Sequence, residues 1–302
     1  MLSFDKKLTF LDGGMGRQLL KMGAPFRQPE WSALALMEAP DFVHRAHRRF
    51  ADAGSDILTS NSYGVVPFHI GESRFRDAGS SLARLSGQLV REVAGEYQCQ
   101  VAGSLPPLFG SYRPDLFRAD QAMAILQVLI EALDASVDIW LGETLSSIAE
   151  AQAVARALEG GSRPFWISFT LEDKPARDTG PCLRSGETVA MAVRSAAELE
   201  TAAILFNCSP PEVMSAAVEQ ANDEMLRQGI ELPIGVYANA FQNRQTESPA
   251  NSAIHDLRDD LDPPAYAAYA RKWCGNGATI LGGCCGVGPE HIEAMRAALA
   301  PR

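Results

Sequence analysis

No stretch of this 302-residue chain approaches eighteen consecutive apolar side chains, so no membrane-spanning helix is expected. The first ten residues carry Asp5, Lys6 and Lys7 and lack the apolar run of a signal peptide, which points to a cytoplasmic address. Positive charge is short: 27 Lys+Arg against 37 Asp+Glu leave a net charge of -10. Such a chain repels phosphate backbones and anionic lipid, so neither nucleic acid nor a membrane is expected as a partner. Cysteine is sparse. Six residues, Cys99, Cys182, Cys208, Cys274, Cys284 and Cys285, are too few and too scattered for a disulfide scaffold, and in a reducing compartment they are thiols or metal ligands. The five histidines, His44, His47, His69, His255 and His291, show no HxH or HExxH spacing, and none is expected to bind metal. His44 and His47 read as part of a solvated basic face with Arg45, Arg48 and Arg49.

What the chain does have is 46% hydrophobic residues, enough for a sizeable core, and a repeating pattern. Short β-rich apolar runs alternate with longer amphipathic segments about eight times, without a low-complexity linker. The expected strands are Leu8–Leu11, Asp56–Thr59, Gln100–Gly103, Asp138–Gly142, Phe165–Thr170, Ala202–Phe206, Ile234–Tyr237 and Thr279–Gly282. Helices are expected over Phe42–Asp52, Ser81–Glu96, Gln121–Ala135, Ile148–Leu158, Val189–Ala197, Pro211–Arg227, Ala265–Trp273 and Pro289–Ala298, each following a strand. This is the signature of an α/β fold, a single (β/α)8 TIM barrel over residues 1–302. The rival doubly wound sheet would ordinarily place a GxGxxG turn after its first strand, and Gly13-Gly14-Met15-Gly16 does not match it. Pro- and Gly-rich interruptions at Gly23–Trp31, Pro106–Arg118, Leu171–Gly186 and Ala240–Asp262 are where active-site loops of a barrel would grow.

Residues just past the C-terminal ends of barrel strands share one mouth, and polar and thiol groups collect there: Asp12-Gly13-Gly14, Ser60-Asn61, Glu143-Thr144, Asn207-Cys208 and Cys284-Cys285. Cys208 follows the sixth strand and the Cys284-Cys285 pair the eighth, so one neighbour separates them in a closed sheet. Three converging thiolates make a zinc site with one ligand position open. The same cysteines also read as ordinary structural thiols, or the adjacent pair as a strained redox disulfide. Gly282, Gly283 and Gly286 favour convergence, because they let the backbone turn both side chains toward one point. Asp12 can equally cap a helix over Met15–Lys21, and Glu143 can cap the helix after it or pair with an arginine.

Together, Leu11-Asp12-Gly13-Gly14, Trp31-Ser32-Ala33 through Tyr63, Val101–Ser104, Gly110–Arg113, Glu143-Thr144, Asn207-Cys208 and Gly282–Gly286 resemble the homocysteine S-methyltransferases over nearly the whole chain. The resemblance implies a homocysteine-binding barrel with Zn2+ on Cys208, Cys284 and Cys285. It further implies that Asp12 and Glu143 hold the substrate ammonium group, and that the amides of Gly13 and Gly14 approach its carboxylate. Ser60, Asn61 and Asn207 are expected as hydrogen-bonding groups of the mouth.

Zinc stabilises a thiolate at neutral pH, and three protein thiolates leave a fourth sulfur electron-rich enough to attack a methyl group on an onium centre. The expected reaction is methyl transfer to L-homocysteine, giving L-methionine. Pro29–Ala33 resembles members that use S-methylmethionine, so a sulfonium donor, S-methylmethionine or S-adenosylmethionine, is favoured over betaine. Ala238 stands where many relatives carry proline, and Phe241–Asp260 diverges; both departures concern the donor side. A zinc- or redox-sensing thiol protein without turnover is the alternative of another class, and a hydrolase built on Asp12 and Glu143 a third. Small-molecule substrates and a monomer or small homo-oligomer complete the expectation.

Overall fold

Strands that are apolar on both faces must be covered on both, and a closed parallel barrel sheathed in helices achieves this. The computed structural model describes residues 7–174, 180–241 and 256–300. Its strands are β1 (Thr9–Phe10), β2 (Ile57–Thr59), β3 (Gln100–Leu105), β4 (Ile139–Leu145), β5 (Phe165–Thr170), β6 (Ala203–Asn207), β7 (Ile234–Tyr237) and β8 (Ile280–Leu281). All neighbours pair in parallel in the order β1-β8-β7-β6-β5-β4-β3-β2. A parallel bridge from Leu11 to Ile57 closes the ring, with the Asp12 amide donating to Ile57 at 3.1 Å and the Asp56 amide to Phe10 at 2.7 Å. The fold is the expected (β/α)8 barrel.

Alternate strand residues form two cores. Leu11, Ile57, Ala102, Ile139, Leu141, Ala203, Leu205, Tyr237 and Ile280 pack inside the barrel. Their neighbours along the strands, such as Ile204 and Phe206, face the helices. The period of two then decides which residue tops each strand: after Ile139 and Leu141 comes Glu143, and after Ala203 and Leu205 comes Asn207. The upper layer of the barrel interior is therefore polar where the lower layers are aliphatic.

The eight expected helices are present with small boundary shifts, except that Ser81–Glu96 extends to Glu72–Tyr97, its first turns anchored by buried Phe75 and Gly79. Ser32–Glu38 is a helix that periodicity hides, because five consecutive residues from Ser32 to Leu36 are buried and leave no polar stripe to read. Pro67–Ile70 adds one further turn. The described ends of the Leu171–Gly186 loop meet through a Leu171–Leu183 antiparallel bridge. Much of the Phe241–Asp260 stretch, His255 included, lies outside the described residues. Among the described residues no helix is long and apolar enough to cross a membrane.

One reading needs correction. His47 does not join a solvated basic face: it is fully buried in the helix Pro40–Asp52, and neither ring nitrogen has a hydrogen-bond partner. Burial, with a smaller contribution from nearby His44, pushes its pKa from 6.5 down to about 3. The folded state therefore keeps His47 neutral while the unfolded chain protonates it below about 6.5. Stability from this group is intact above that pH and falls as pH drops from there toward 3, by up to about 1.4 kcal/mol per unit. His47→Leu is expected to flatten the acid limb of a denaturation profile measured between pH 4 and 7. A wild-type slope in the variant would refute the assignment.

Candidate active site

At the C-terminal mouth lies a cavity of about 140 Å³, lined by residues at or following β1, β2, β3, β4, β6, β7 and β8. The Sγ atoms of Cys208, Cys284 and Cys285, which line it, all lie within 4.8 Å of one another, with Cys208 and Cys285 at 3.8 Å. Tetrahedral zinc with Zn–S bonds near 2.3 Å holds its sulfurs about 3.8 Å apart, so the donor set fits that ion in both chemistry and spacing. Cys99, Cys182 and Cys274 lie elsewhere: the Cys99 thiol donates to the Ser55 carbonyl at 3.1 Å, Cys182 is not among the cavity-lining residues, and burial raises the Cys274 thiol to about 12. All six cysteines are free thiols in this structure.

Backbone geometry brings the sulfurs together. Cys208 adopts a left-handed φ of 50°, which turns the chain sharply at the end of β6. Gly286, at φ 87°, makes the corresponding turn after the cysteine pair. Gly14 permits a close approach of the two turns: a Cβ there would sit 2.5 Å from the Cys284 carbonyl oxygen. Trp31, Tyr112 and Thr144 also line the cavity at positive φ, so four of the six described non-glycine residues with that geometry surround this site. Such conformations cost on the order of 1 kcal/mol each and concentrate where function holds the backbone in place.

In the cluster without an ion, the Cys284 and Cys285 thiols are pushed well up, first by hydrogen bonding with Cys208, then by burial and by repulsion between neighbouring thiolates. A divalent cation reverses that balance by stabilising all three anions at once. The Tyr112 hydroxyl lies 2.8 Å from the Cys208 sulfur. Burial keeps this phenol protonated well beyond its usual range, so it is suited to donate to a thiolate. Arg184 lies over the Tyr112 ring, 5.1 Å from its centroid, and pairs with Asp173.

Two carboxylates line the same cavity. Asp12 accepts from the Thr59 amide at 2.8 Å and the Thr59 hydroxyl at 2.9 Å; it is not the cap of Met15–Lys21, whose N-cap is Gly14. Glu143 accepts from the Ser104 hydroxyl at 2.6 Å, while Ser147 caps the following helix. Burial raises both acids to about 7. The Thr59 bonds oppose this at Asp12, and the Ser104 bond opposes it at Glu143. A buried acid poised near neutrality, with few donors of its own, is a receptor for a cationic group.

The remaining expected residues divide. Gly13, Gly14, Ser60 and Asn61 line the cavity. The Gly14 amide, however, already donates to the Val287 carbonyl at 2.9 Å, which ties the turn after β1 to the cysteine turn rather than presenting that N–H to the cavity. Ser60 receives the Ser104 amide at 3.0 Å, and the Asn61 side-chain amide donates to Ser32 at 3.2 Å. Asn207 is fully buried beneath the mouth. Its Oδ1 accepts from Ser168 and its Nδ2 donates to Thr144, both at 2.8 Å, with the Cys284 sulfur 3.9 Å from the same nitrogen. Sequence reasoning missed Arg17, His69, Tyr237 and Phe241, which also line the cavity. Only Tyr237 carried a signal, as the inward residue at the end of β7; His69 was set aside for lacking metal-ligand spacing.

A barrel whose C-terminal mouth holds a thiol triad and two buried acids in one cavity is equipped for sulfur chemistry. The chain matches the family described as homocysteine S-methyltransferase over residues 9–299, and it belongs to that family. It is 28% identical to the homocysteine S-methyltransferase of Escherichia coli strain K12, across 96% of this chain and 94% of that one. It is 27% identical to homocysteine S-methyltransferase 2 of Arabidopsis thaliana, across 97% and 93%. The selenocysteine Se-methyltransferase of Brassica oleracea var. italica is also 27% identical, across 97% and 89%. Among solved structures, the metallated form of the E. coli homocysteine methyltransferase MmuM superposes with a TM-score of 0.77 at 27% identity, covering 97% of this chain and 96% of that one.

Proposed function

We propose that the protein transfers a methyl group from a small sulfonium donor, S-methylmethionine, to the thiol of L-homocysteine, with zinc held by Cys208, Cys284 and Cys285. The observation that carries this reading is the convergence of three sulfurs on one point in a cavity that two buried carboxylates also line. Bound zinc would supply the acceptor sulfur as a thiolate at neutral pH. Asp12 and Glu143 face the acceptor's ammonium group, and the gain of that cation offsets the burial that otherwise holds both acids near pH 7. Tyr112 steadies the Cys208 sulfur through its hydroxyl. The new carbon–sulfur bond forms as the donor's methyl–sulfur bond breaks. Its electron pair stays on the donor sulfur, which becomes a neutral thioether, and the acceptor's thiol proton goes to solvent. Both products of that exchange are then methionine.

The Pro29–Ala33 segment, which resembles that of S-methylmethionine-using members, favours S-methylmethionine as the donor. Three anionic ligands would leave zinc a weak activator of water, so hydrolysis is not favoured.

The test pairs elemental analysis with a donor panel. Reduced, zinc-loaded protein is expected to bind about one zinc per chain and to form methionine from homocysteine with S-methylmethionine at least tenfold faster than with S-adenosylmethionine or betaine. Firm zinc binding with no methionine from any donor would favour the sensor reading instead. Selenocysteine belongs in the acceptor arm, because a related chain is named for that substrate.

A further inference from the structure

We infer that Arg184 is a positioning residue for the thiol centre: through the Tyr112 ring it holds a phenol hydroxyl on Cys208 and makes that hydroxyl a stronger donor. The inference rests on the metal reading of the three thiols and is independent of which onium compound supplies the methyl group. The Tyr112 hydroxyl stands 2.8 Å from the Cys208 sulfur, and the Arg184 guanidinium lies over the ring of the same tyrosine, 5.1 Å from its centroid. A metal-bound thiolate carries no proton, so there the phenol donates and the sulfur accepts. Arg184 is not among the residues lining the cavity, so its contact with the centre runs through Tyr112.

Backbone and side-chain contacts fix the arginine in place. Its amide donates to the Thr170 carbonyl, at the end of β5, at 3.4 Å, and the Ser185 amide donates to the Ser146 carbonyl, just past β4, at 3.0 Å. The Arg184 side chain is only 12% exposed, and its terminal nitrogens reach Glu172, at 3.8 Å, and Asp173. Its Nε is buried with no hydrogen-bond partner among the described residues. An arginine that only stapled a loop to two acids could turn this N–H to water and avoid the cost of stranding it. Here the guanidinium stays against the phenol, whose face attracts the cation. The cation in turn draws electron density from the ring, which strengthens the hydroxyl as a donor. Tyr112 itself sits at φ 63°, a conformation that a non-glycine residue keeps only where its surroundings hold it. Sulfur at the hydroxyl and guanidinium at the ring supply such surroundings. A hydrogen bond from Tyr112 stabilises thiolate more than thiol, so the whole arm favours the metallated centre.

The measurement is the sulfur-to-metal charge-transfer band of the cobalt-loaded full chain, together with zinc affinity from chelator competition. A hydrogen bond to a metal-bound thiolate lowers the sulfur lone pairs and moves this band to higher energy. Tyr112→Phe, which removes a single oxygen, is therefore expected to move the band to lower energy and to weaken zinc about tenfold, as for loss of a charged hydrogen bond. Arg184→Met is expected to give a smaller shift in the same direction and about a threefold loss, with Arg184→Lys between it and wild type. With Phe at position 112, Arg184→Met should add no further change in band or affinity, because its route to the sulfur is gone. Loop packing supplied by Arg184 would instead act alike in both backgrounds. The inference is overturned if Tyr112→Phe leaves the band in place, if Arg184→Met leaves both readouts at wild-type values, or if Arg184→Met acts equally in the two backgrounds. A wild type that binds no cobalt would overturn it together with the metal reading. The expected shifts in a chain that forms no methionine would uphold Arg184 and reject the methyl-transfer reading.

Discussion

Cys285→Ser is expected to abolish both zinc retention and turnover. A structural zinc site gains about 10–16 kcal/mol from four ligands, so one thiolate accounts for roughly 3–4 kcal/mol, or about 10²- to 10³-fold in affinity. Turnover should fall by about 10³-fold or more, since the acceptor thiol then loses its activation along with the metal. Competition with a chromogenic chelator reads the first effect, and methionine formation the second. Cys99→Ser supplies the control, because that thiol lies outside the cluster and donates to the Ser55 carbonyl. Zinc retained at wild-type affinity in Cys285→Ser would remove the basis for a three-sulfur centre. Activity that survived loss of all three thiols would revive the hydrolase reading of Asp12 and Glu143.

The second large effect concerns recognition of the acceptor. Glu143→Gln can keep the bond from Ser104 while losing the charge, so it separates electrostatics from packing better than a change at Asp12, where an amide would meet the Thr59 N–H. We expect kcat/KM for homocysteine to fall by about 10²- to 10³-fold, as for removal of one partner from a buried charge pair. For 4-mercaptobutyrate, which lacks the ammonium group, the fall should be less than about threefold. The pH dependence follows from the same group. Burial raises Glu143 to about 7, so in free enzyme it is increasingly protonated below that pH and cannot attract an ammonium. KM for homocysteine should therefore rise as pH drops below 7 in wild type, and this limb should shrink in Glu143→Gln. Equal losses for both acceptors would place Glu143 outside ammonium binding.

Much of this architecture was legible before any coordinates. Strands such as Phe165–Thr170 and Ile234–Tyr237 are bounded as expected, because continuous apolar runs flanked by turns leave few alternatives. Glu143 was legible because it continues the inward alternation of Ile139 and Leu141 past the point where the core ends. Ser32–Glu38 was not, because burial on all sides erases the periodicity by which helices are recognised. His47 misled for the related reason that a histidine among arginines reads as solvated, although helix phase places it with Val43, Ala46 and Phe50 against the core.

By itself, then, the order of residues determined the alternating strands and helices, the barrel they close, and the collection of acids and thiols at the strand ends, all consequences of local periodicity and chain order. Only the tertiary structure decided which of those groups meet. It set three sulfurs within 4.8 Å across a gap of one strand, committed the Gly14 amide to Val287, buried Asn207 outside the cavity wall, and brought Arg17 into that wall. The physical reason is that backbone turns at positive φ and side-chain hydrogen bonds between neighbouring strand ends fix these positions. Both depend on partners distant in sequence, which no local pattern encodes.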